Sequence, residues 1–371
     1  MSDARRYVEL DGPFPMYRGG SLPAVTVAYE TWGEPRGRGA NALLLFTGMS
    51  PSAHAASSRD DASPGWWEYM IGPGKPIDTE RFFVICINSL GSCFGSTGPA
   101  STNPATGRAY ALGFPKLSVE DIAAAAHRVC LALGVERVHT VAGASLGGMV
   151  ALAYAMMYPG TYRDLVSISG ALMATPFAIA LRTIQRDMIR ADSAWAKGDY
   201  APDAGPVEGM RVARELGVLT YRSPDEWLQR FDRERVAADA DASNRPFETT
   251  FQVQSYLDVN AIRFAQRFDA NCYLYLSQAM DLFDAAEHGA GSLEAAVGRI
   301  DARRALVAGV SSDWLFPAWQ QRQVADLLRQ AGVEVTFREL ESLQGHDAFL
   351  TDTDRFAPMM AAFFSGAPGP G

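Results

Sequence analysis

The chain has little of what metal and redox sites are built from. Its 371 residues include four cysteines, Cys86, Cys93, Cys130 and Cys272, and five histidines. No two cysteines form a C-x-x-C pair. They read as buried thiols of a reducing compartment, and no metal site is expected. A basic surplus is missing as well. Thirty-three Lys and Arg stand against 42 Asp and Glu, a net charge of -9. A nucleic-acid partner needs clustered cations to neutralise phosphates, so none is expected; a local basic spot for a small anion is not excluded. No run of about 18 apolar residues occurs, so no membrane span is expected. The opening stretch MSDARRYVELDG lacks the apolar centre of a secretory leader, which makes the cytoplasm the expected address.

What is present is the composition of a globular protein, 48% apolar and 20% charged. The length suits one large core with an insertion, or two domains. Short apolar runs at 24–32, 41–49, 81–91, 137–145 and 163–171 predict strands. Between them, SVEDIAAAAHRVCLALG (118–134) carries an N-cap serine, an acid three residues later and a closing glycine. It predicts a helix, as does 147–160, which stops at Pro159-Gly160. Strands alternating with helices predict a mostly parallel sheet covered on both faces. From 176 to 297 the strand pattern gives way to amphipathic helical segments and the acidic stretch RVAADADASNRPF, read as a solvated loop. Strands return at 304–313 and 333–340, with helices at 318–332 and up to about 364. The expected architecture is an α/β core, residues 1–175 and 298–365, interrupted by a helical insertion, 176–297. Residues 366–371, GAPGPG, read as a disordered tail.

One stretch carries chemistry. In TVAGASLGGMVALAYAMMYPG (140–160), Ser145 sits between Gly143 and Gly147, after a strand and before a helix. That is a nucleophile elbow: the turn is too tight for a Cβ at either glycine, and it lifts the serine hydroxyl clear of the sheet. A plain β–α turn with a capping serine is the competing reading. Serine needs a base. His127 falls mid-helix, His139 starts a strand, and His288 lies in a small-residue loop. His54 follows a strand and is a weaker candidate. His346 follows the last strand and precedes the final helix, on the sheet edge where the elbow lies. Asp313 closes the strand before it, so the order Ser145, Asp313, His346 matches an α/β-hydrolase fold triad. Asp352 and Asp354 read as helix-capping or surface acids. The oxyanion hole is expected from the N–H of Leu146 and of Met49.

Longer strings go further. PGWWEYMIGPGKPIDTERFFVICINSLGSCFGSTGPASTNPATG (64–107), GASLGGMVAL, GMRVARELGVLTYRS, FDANCYLYL, SDWLFP and GHDAF resemble the homoserine O-acyltransferase family of α/β-hydrolase-fold enzymes, over about residues 7 to 364. The resemblance implies a ping-pong acyl transfer. Ser145 takes an acyl group from acyl-coenzyme A, a co-substrate rather than a bound cofactor, and passes it to the hydroxyl of a small amino acid. His346 acts as base and acid and Asp313 orients it. It also implies that Arg214 holds the substrate carboxylate and Asp347 its amino group, with Tyr221 and Arg222 lining the same tunnel. Without the resemblance, Arg214 reads as a helix-surface ion pair.

Where homoserine enzymes resemble SGDAH, this chain has SPSAH, with Pro51, Ser52, Ala53 and His54, and it has NSLGSCFGS in place of NVLGGC. These variants resemble the subgroup in which L-serine is the acceptor and succinyl the acyl group, a step toward cysteine. Arg182 and Arg186, four apart on one helix face, are candidates for the succinyl carboxylate; pairing with Asp187 or Asp192 on the surface is the alternative. Acetyl transfer to L-serine or L-homoserine is the second reading. An esterase-type hydrolase and a non-catalytic binding protein are the readings from other classes. The resemblance further implies a homodimer formed through the insertion, which also acts as a lid.

Overall fold

A computed structural model describes residues 4–201, 203–236 and 247–366. The loop expected at 235–247 lies, but for its ends, outside the described residues, and so do residues 367–371 of the tail.

Eight strands form one sheet: β1 (Arg6–Leu10), β2 (Val25–Trp32), β3 (Ala42–Phe46), β4 (Phe83–Ile87), β5 (Val138–Ala144), β6 (Tyr162–Ile168), β7 (Arg304–Val310) and β8 (Glu334–Leu340). Their order across the sheet is β1-β2-β4-β3-β5-β6-β7-β8. β1 pairs antiparallel with β2, β2 antiparallel with β4, and the rest pair in parallel. The neighbouring central strands β3 and β4 are apolar throughout because both faces are covered. In β3 all five residues of ALLLF are buried. Alternate side chains serve opposite layers. Leu44 and Phe46 join the layer of α1 (Val119–Ala132) and α2 (Leu146–Met157); Leu43 and Leu45 join the layer of Phe356 and Met360 from α11 (Thr353–Ser365).

The helix signals hold in detail. Ser118 Oγ accepts the N–H of Asp121 at 3.1 Å, while Asp121 Oδ2 accepts the N–H of Ser118 at 2.8 Å, a closed capping box. Sequence reading does not assign β1. Only Leu10 of Arg6–Leu10 is buried, so no apolar run marks this edge strand. Its pairing with β2 is what makes it a strand.

Between β6 and β7 the described residues form six α-helices: α3 (Pro176–Ala191), α4 (Val207–Thr220), α5 (Pro224–Phe231), α6 (Gln252–Ala265), α7 (Ala270–Leu282) and α8 (Leu293–Val297). Thr175, Ser223 and Asp269 cap α3, α5 and α7 through their side-chain oxygens. Beyond β7 come α9 (Ala318–Gln330) and, after β8, the single turn α10 (Ala348–Thr351). Among the described residues no helix is long and apolar enough to cross a membrane.

Candidate active site

Ser145 lies between β5 and α2 with φ 58 and ψ -125, a backbone state L-residues rarely adopt. The two glycines make it possible. A Cβ on Gly143 would sit 2.1 Å from the carbonyl oxygen of Gly147, and one on Gly147 would sit 2.4 Å from that of Phe46. No side chain fits either gap. The turn therefore packs directly on the end of β3, whose following residues, Thr47 to Ser50, border the site. Ser145 is the N-cap of α2, so the N–H of Leu146 is among the helix's free first-turn donors. Met49 is partly buried against the core in the bordering loop.

Ser145, Asp313 and His346 come from the carboxyl ends of β5, β7 and β8. Ser145 Oγ lies 2.7 Å from His346 Nε2, and His346 Nδ1 lies 2.7 Å from Asp313 Oδ2. The carboxylate accepts the Nδ1 proton, which leaves Nε2 free to accept from the serine. Asp313 is fixed in turn: its Oδ1 accepts the N–H groups of Leu315 and Phe316, each at 2.9 Å. The imidazole stacks on Phe316 at 5.1 Å and meets Phe349 edge-on at 5.8 Å. Burial by itself disfavours protonated His346. The charge and hydrogen bond of Asp313 and the charge of Asp347 outweigh it, and the net shift is upward.

The insertion reaches the triad through the turn between α4 and α5. The N–H of Asp347 donates to the Tyr221 carbonyl at 3.2 Å, and Ser223 Oγ donates to the Leu343 carbonyl at 2.6 Å. Gly345, at φ +59, permits this contact; a Cβ there would meet the Tyr221 carbonyl oxygen at 2.6 Å. Arg214 of α4 donates through Nη1 to Ser50 Oγ at 3.1 Å and to Tyr221 Oη at 3.2 Å. Its guanidinium lies over the ring of Phe264, 4.3 Å from the centroid. Arg214 makes no ion pair among the described residues, and its Nε is buried without a hydrogen-bond partner. Asp347 lies across the site. Burial raises its carboxyl, opposed by the positive charges of His346, Arg222 and Arg214. Arg222 Nη2 lies 3.9 Å from Asp347 Oδ2.

The loop of Pro51, Ser52, Ala53 and His54 borders this region, but its link to Arg214 is the preceding residue, Ser50. His54 faces elsewhere: Nδ1 meets Glu30 Oε2 and Nε2 meets the Ser63 carbonyl, each at 2.9 Å. Ser52 accepts from Trp66 Nε1 through its carbonyl at 3.1 Å, and Ala53 is buried. Sequence reading does not single out Ser50 or Phe264. Ser50 stands inside the SPSAH string, but nothing in a sequence tells which of five loop residues faces a helix 164 positions away.

Arg182 and Arg186 do not pair with Asp187 or Asp192, which is a correction. Asp187 pairs with Arg190 at 3.4 Å, and Asp192 caps backbone N–H groups of Ala194 and Gly209. Both arginines instead share the carboxylate of Asp281 on α7, at 2.5 and 2.7 Å. Helix packing inside the insertion turned this face of α3 inward.

A sheet of this order with a Ser–His–Asp array at its carboxyl edge defines an α/β-hydrolase-fold protein. A family model described as alpha/beta hydrolase fold matches residues 41–353. The chain is 74% identical to a serine O-succinyltransferase of Litchfieldella anticariensis, over 98% of this chain and 99% of that one. It is 51% identical to an L-serine/homoserine O-acetyltransferase of Streptomyces lavendulae, over 98% and 97%. The crystal structure of homoserine O-acetyltransferase from Bacillus anthracis superposes with a TM-score of 0.88 at 27% identity, covering 97% and 98% of the two chains. The chain belongs to the α/β-hydrolase-fold family and, within it, to the amino-acid O-acyltransferases that these relatives represent.

Proposed function

We propose that this enzyme transfers a succinyl group from succinyl-coenzyme A to the hydroxyl of L-serine. Ser145 Oγ attacks the thioester carbonyl while His346 Nε2 takes its proton. The N–H groups of Leu146 and Met49 hold the oxyanion. As the C–S bond breaks, the proton passes to the departing coenzyme A sulfur, leaving a succinyl ester on Ser145. The hydroxyl of L-serine then attacks that ester. His346 takes the new proton and returns it to Ser145 Oγ as the ester bond to the enzyme breaks.

The observation that carries an amino-acid acceptor, rather than water, is the pair flanking the triad. Arg214, without an acid partner among the described residues, and Asp347 place one cation and one anion around His346, as a zwitterion requires. The relative at 74% identity supports L-serine and succinyl as the substrate pair. Arg182 and Arg186 supply the cations for the succinyl carboxylate. A cavity of about 990 Å³ reaches Met210, one helical turn before Arg214, and has room for part of the coenzyme; Arg108, Lys197 and Arg267 border it, balanced by Asp199, Asp203 and Asp269. The product is an activated serine, suited to replacement of its succinyl ester by a sulfur nucleophile on the way to cysteine. We place the enzyme in the cytoplasm as a homodimer; exposed Leu219, Leu228 and Val259 of α4, α5 and α6 support association through the insertion, and gel filtration tests it.

The Streptomyces lavendulae relative favours a second reading, acetyl transfer to L-serine or L-homoserine. Steady-state rates for L-serine and L-homoserine with succinyl- and acetyl-coenzyme A decide between them. The expected best kcat/KM is for L-serine with succinyl-coenzyme A. A higher value for L-homoserine overturns the acceptor, and a higher value for acetyl-coenzyme A overturns the donor. Equal turnover without any amino acid makes the protein a hydrolase.

A further inference from the structure

Two helices of the insertion build an arrangement that stability alone does not account for. On α7, Tyr273, Ser277 and Asp281 recur every four residues and share one face. Ser277 and Asp281 meet Arg182 and Arg186 of α3. Arg182 Nε donates to Asp281 Oδ1 at 2.5 Å; Arg186 Nη1 lies 2.7 Å from Asp281 Oδ2 and donates to Ser277 Oγ at 2.9 Å. The three charged side chains retain only 8%, 17% and 9% of their exposure. Two guanidiniums against one carboxylate leave an uncompensated positive charge in a nearly dry layer. No other acid pairs with either arginine among the described residues. A buried charge without a counter-ion is costly, so the cluster is incomplete until an anion joins it. Arg182 has the groups to receive one: only its Nε is engaged, and no hydrogen bond occupies its two Nη groups among the described residues.

The cluster adjoins the active site. Gly217 of α4 lets α3 approach. A Cβ there would lie 3.0 Å from Gln185 Nε2, on α3 beside Arg186, and 3.2 Å from Tyr221 Oη, the hydroxyl that Arg214 holds. The positive charge of Arg182 also reaches His346, where it opposes protonation.

We propose that Asp281, assisted by Ser277, is a positioning residue for the acyl donor: it holds Arg182 and Arg186 so that their remaining charge receives a single terminal carboxylate. This rests on the reading that these arginines meet the succinyl group. Arginine alone is not enough. A free guanidinium loses rotamer entropy on binding, and two adjacent ones repel; the Asp281 carboxylate removes both costs before the donor arrives. The expected donor is an acyl thioester with one anionic end. A longer-range attraction by charge count would instead favour removal of Asp281.

The test compares succinyl- and acetyl-coenzyme A with saturating L-serine. In Asp281→Asn, KM for succinyl-coenzyme A rises about tenfold or more, while kcat changes less than about threefold. The ratio of kcat/KM, succinyl over acetyl, falls about tenfold. Asp281→Glu, which keeps the charge, recovers a KM within about threefold of the parent. Ser277→Ala removes one bond to Arg186 and raises the succinyl KM by about threefold; it keeps the test alive if Asp281→Asn does not fold. A ratio unchanged within about twofold in folded variants, or a lower succinyl KM in Asp281→Asn, overturns the assignment. A parent enzyme that prefers acetyl-coenzyme A removes the donor reading and this assignment together; a parent that prefers succinyl with unmoved variants removes this assignment alone.

Discussion

The guanidinium of Arg214 and the hydroxyl of Ser50 lie 3.1 Å apart, one on an insertion helix and the other just beyond the end of β3. This bond ties the insertion to the loop that borders Ser145. It also spends one Nη of Arg214 on the protein and leaves the buried Nε without a partner. The acceptor site proposed above is thus shared between core and insertion.

That sharing predicts different effects at its two ends. Arg214→Lys keeps the charge but loses the planar fork, and raises KM for L-serine by about tenfold or more. Ser50→Ala removes only a support, and its KM effect is smaller, about twofold to fivefold. Initial rates with varied L-serine at saturating acyl donor measure both. A Lys variant with unchanged KM refutes a carboxylate-binding role for Arg214.

Ser145→Ala abolishes transfer. The expected loss in kcat is about 10⁴-fold or more, with the fold intact. Mass spectrometry adds a second check. The parent protein, given acyl-coenzyme A without acceptor, gains one acyl group on Ser145, and the variant gains none. A variant that retains transfer sinks the covalent mechanism.

The elbow glycines predict a stability effect rather than a kinetic one. A Cβ on Gly147 meets the Phe46 carbonyl oxygen at 2.4 Å, and its nearest neighbours are all backbone atoms of Phe46 and Thr47, with nothing flexible to move. Gly147→Ala costs about 3 kcal/mol or more, or prevents folding. Gly160, unlike Gly147, has positive φ, and a Cβ there meets nothing within 4 Å. Gly160→Ala costs about 1 kcal/mol from backbone strain alone. Chemical denaturation of both variants compares them; equal losses contradict the steric account.

His346 predicts a pH dependence. Its neutral form is the base, so activity rises as pH rises through its pKa. Burial lowers that pKa, but the carboxylates of Asp313 and Asp347 raise it further, so the acid limb of kcat/KM lies above the usual 6.5. In Asp347→Asn one raising charge is gone, and the limb moves to lower pH, together with a higher KM for L-serine. A limb that stays in place shows that Asp347 does not bear on His346.

Glu68 predicts an acid limit to stability. Burial pushes its carboxyl up, but Ser57 N–H at 2.6 Å, Lys75 at 3.0 Å, Gly65 N–H at 3.1 Å and Ser57 Oγ at 2.9 Å together hold it down to about 2. A depressed carboxyl stabilises the fold above its ordinary value of 4.5 and loses that contribution as pH falls toward 2. Glu68→Gln therefore lowers Tm at neutral pH, and the gap to the parent closes on acidification. A gap that does not narrow rules out the ionised carboxylate as its source.

The sequence by itself determined the elements that repeat local rules. Buried parallel strands wrote themselves as apolar runs, the Ser118 capping box marked a helix start, and two glycines around Ser145 marked a turn with no room for Cβ atoms. Chain order then proposed Asp313 and His346. Edge strand β1 escaped because half-exposed residues carry no such run. Tertiary structure alone decided which distant side chains meet. It turned Arg182 and Arg186 inward to Asp281 rather than outward to their own helix, and committed His54 to Glu30. It also chose Ser50, not a later loop residue, to meet Arg214. Those outcomes depend on how elements pack across 24 to 164 positions of chain, separations over which no local pattern carries information.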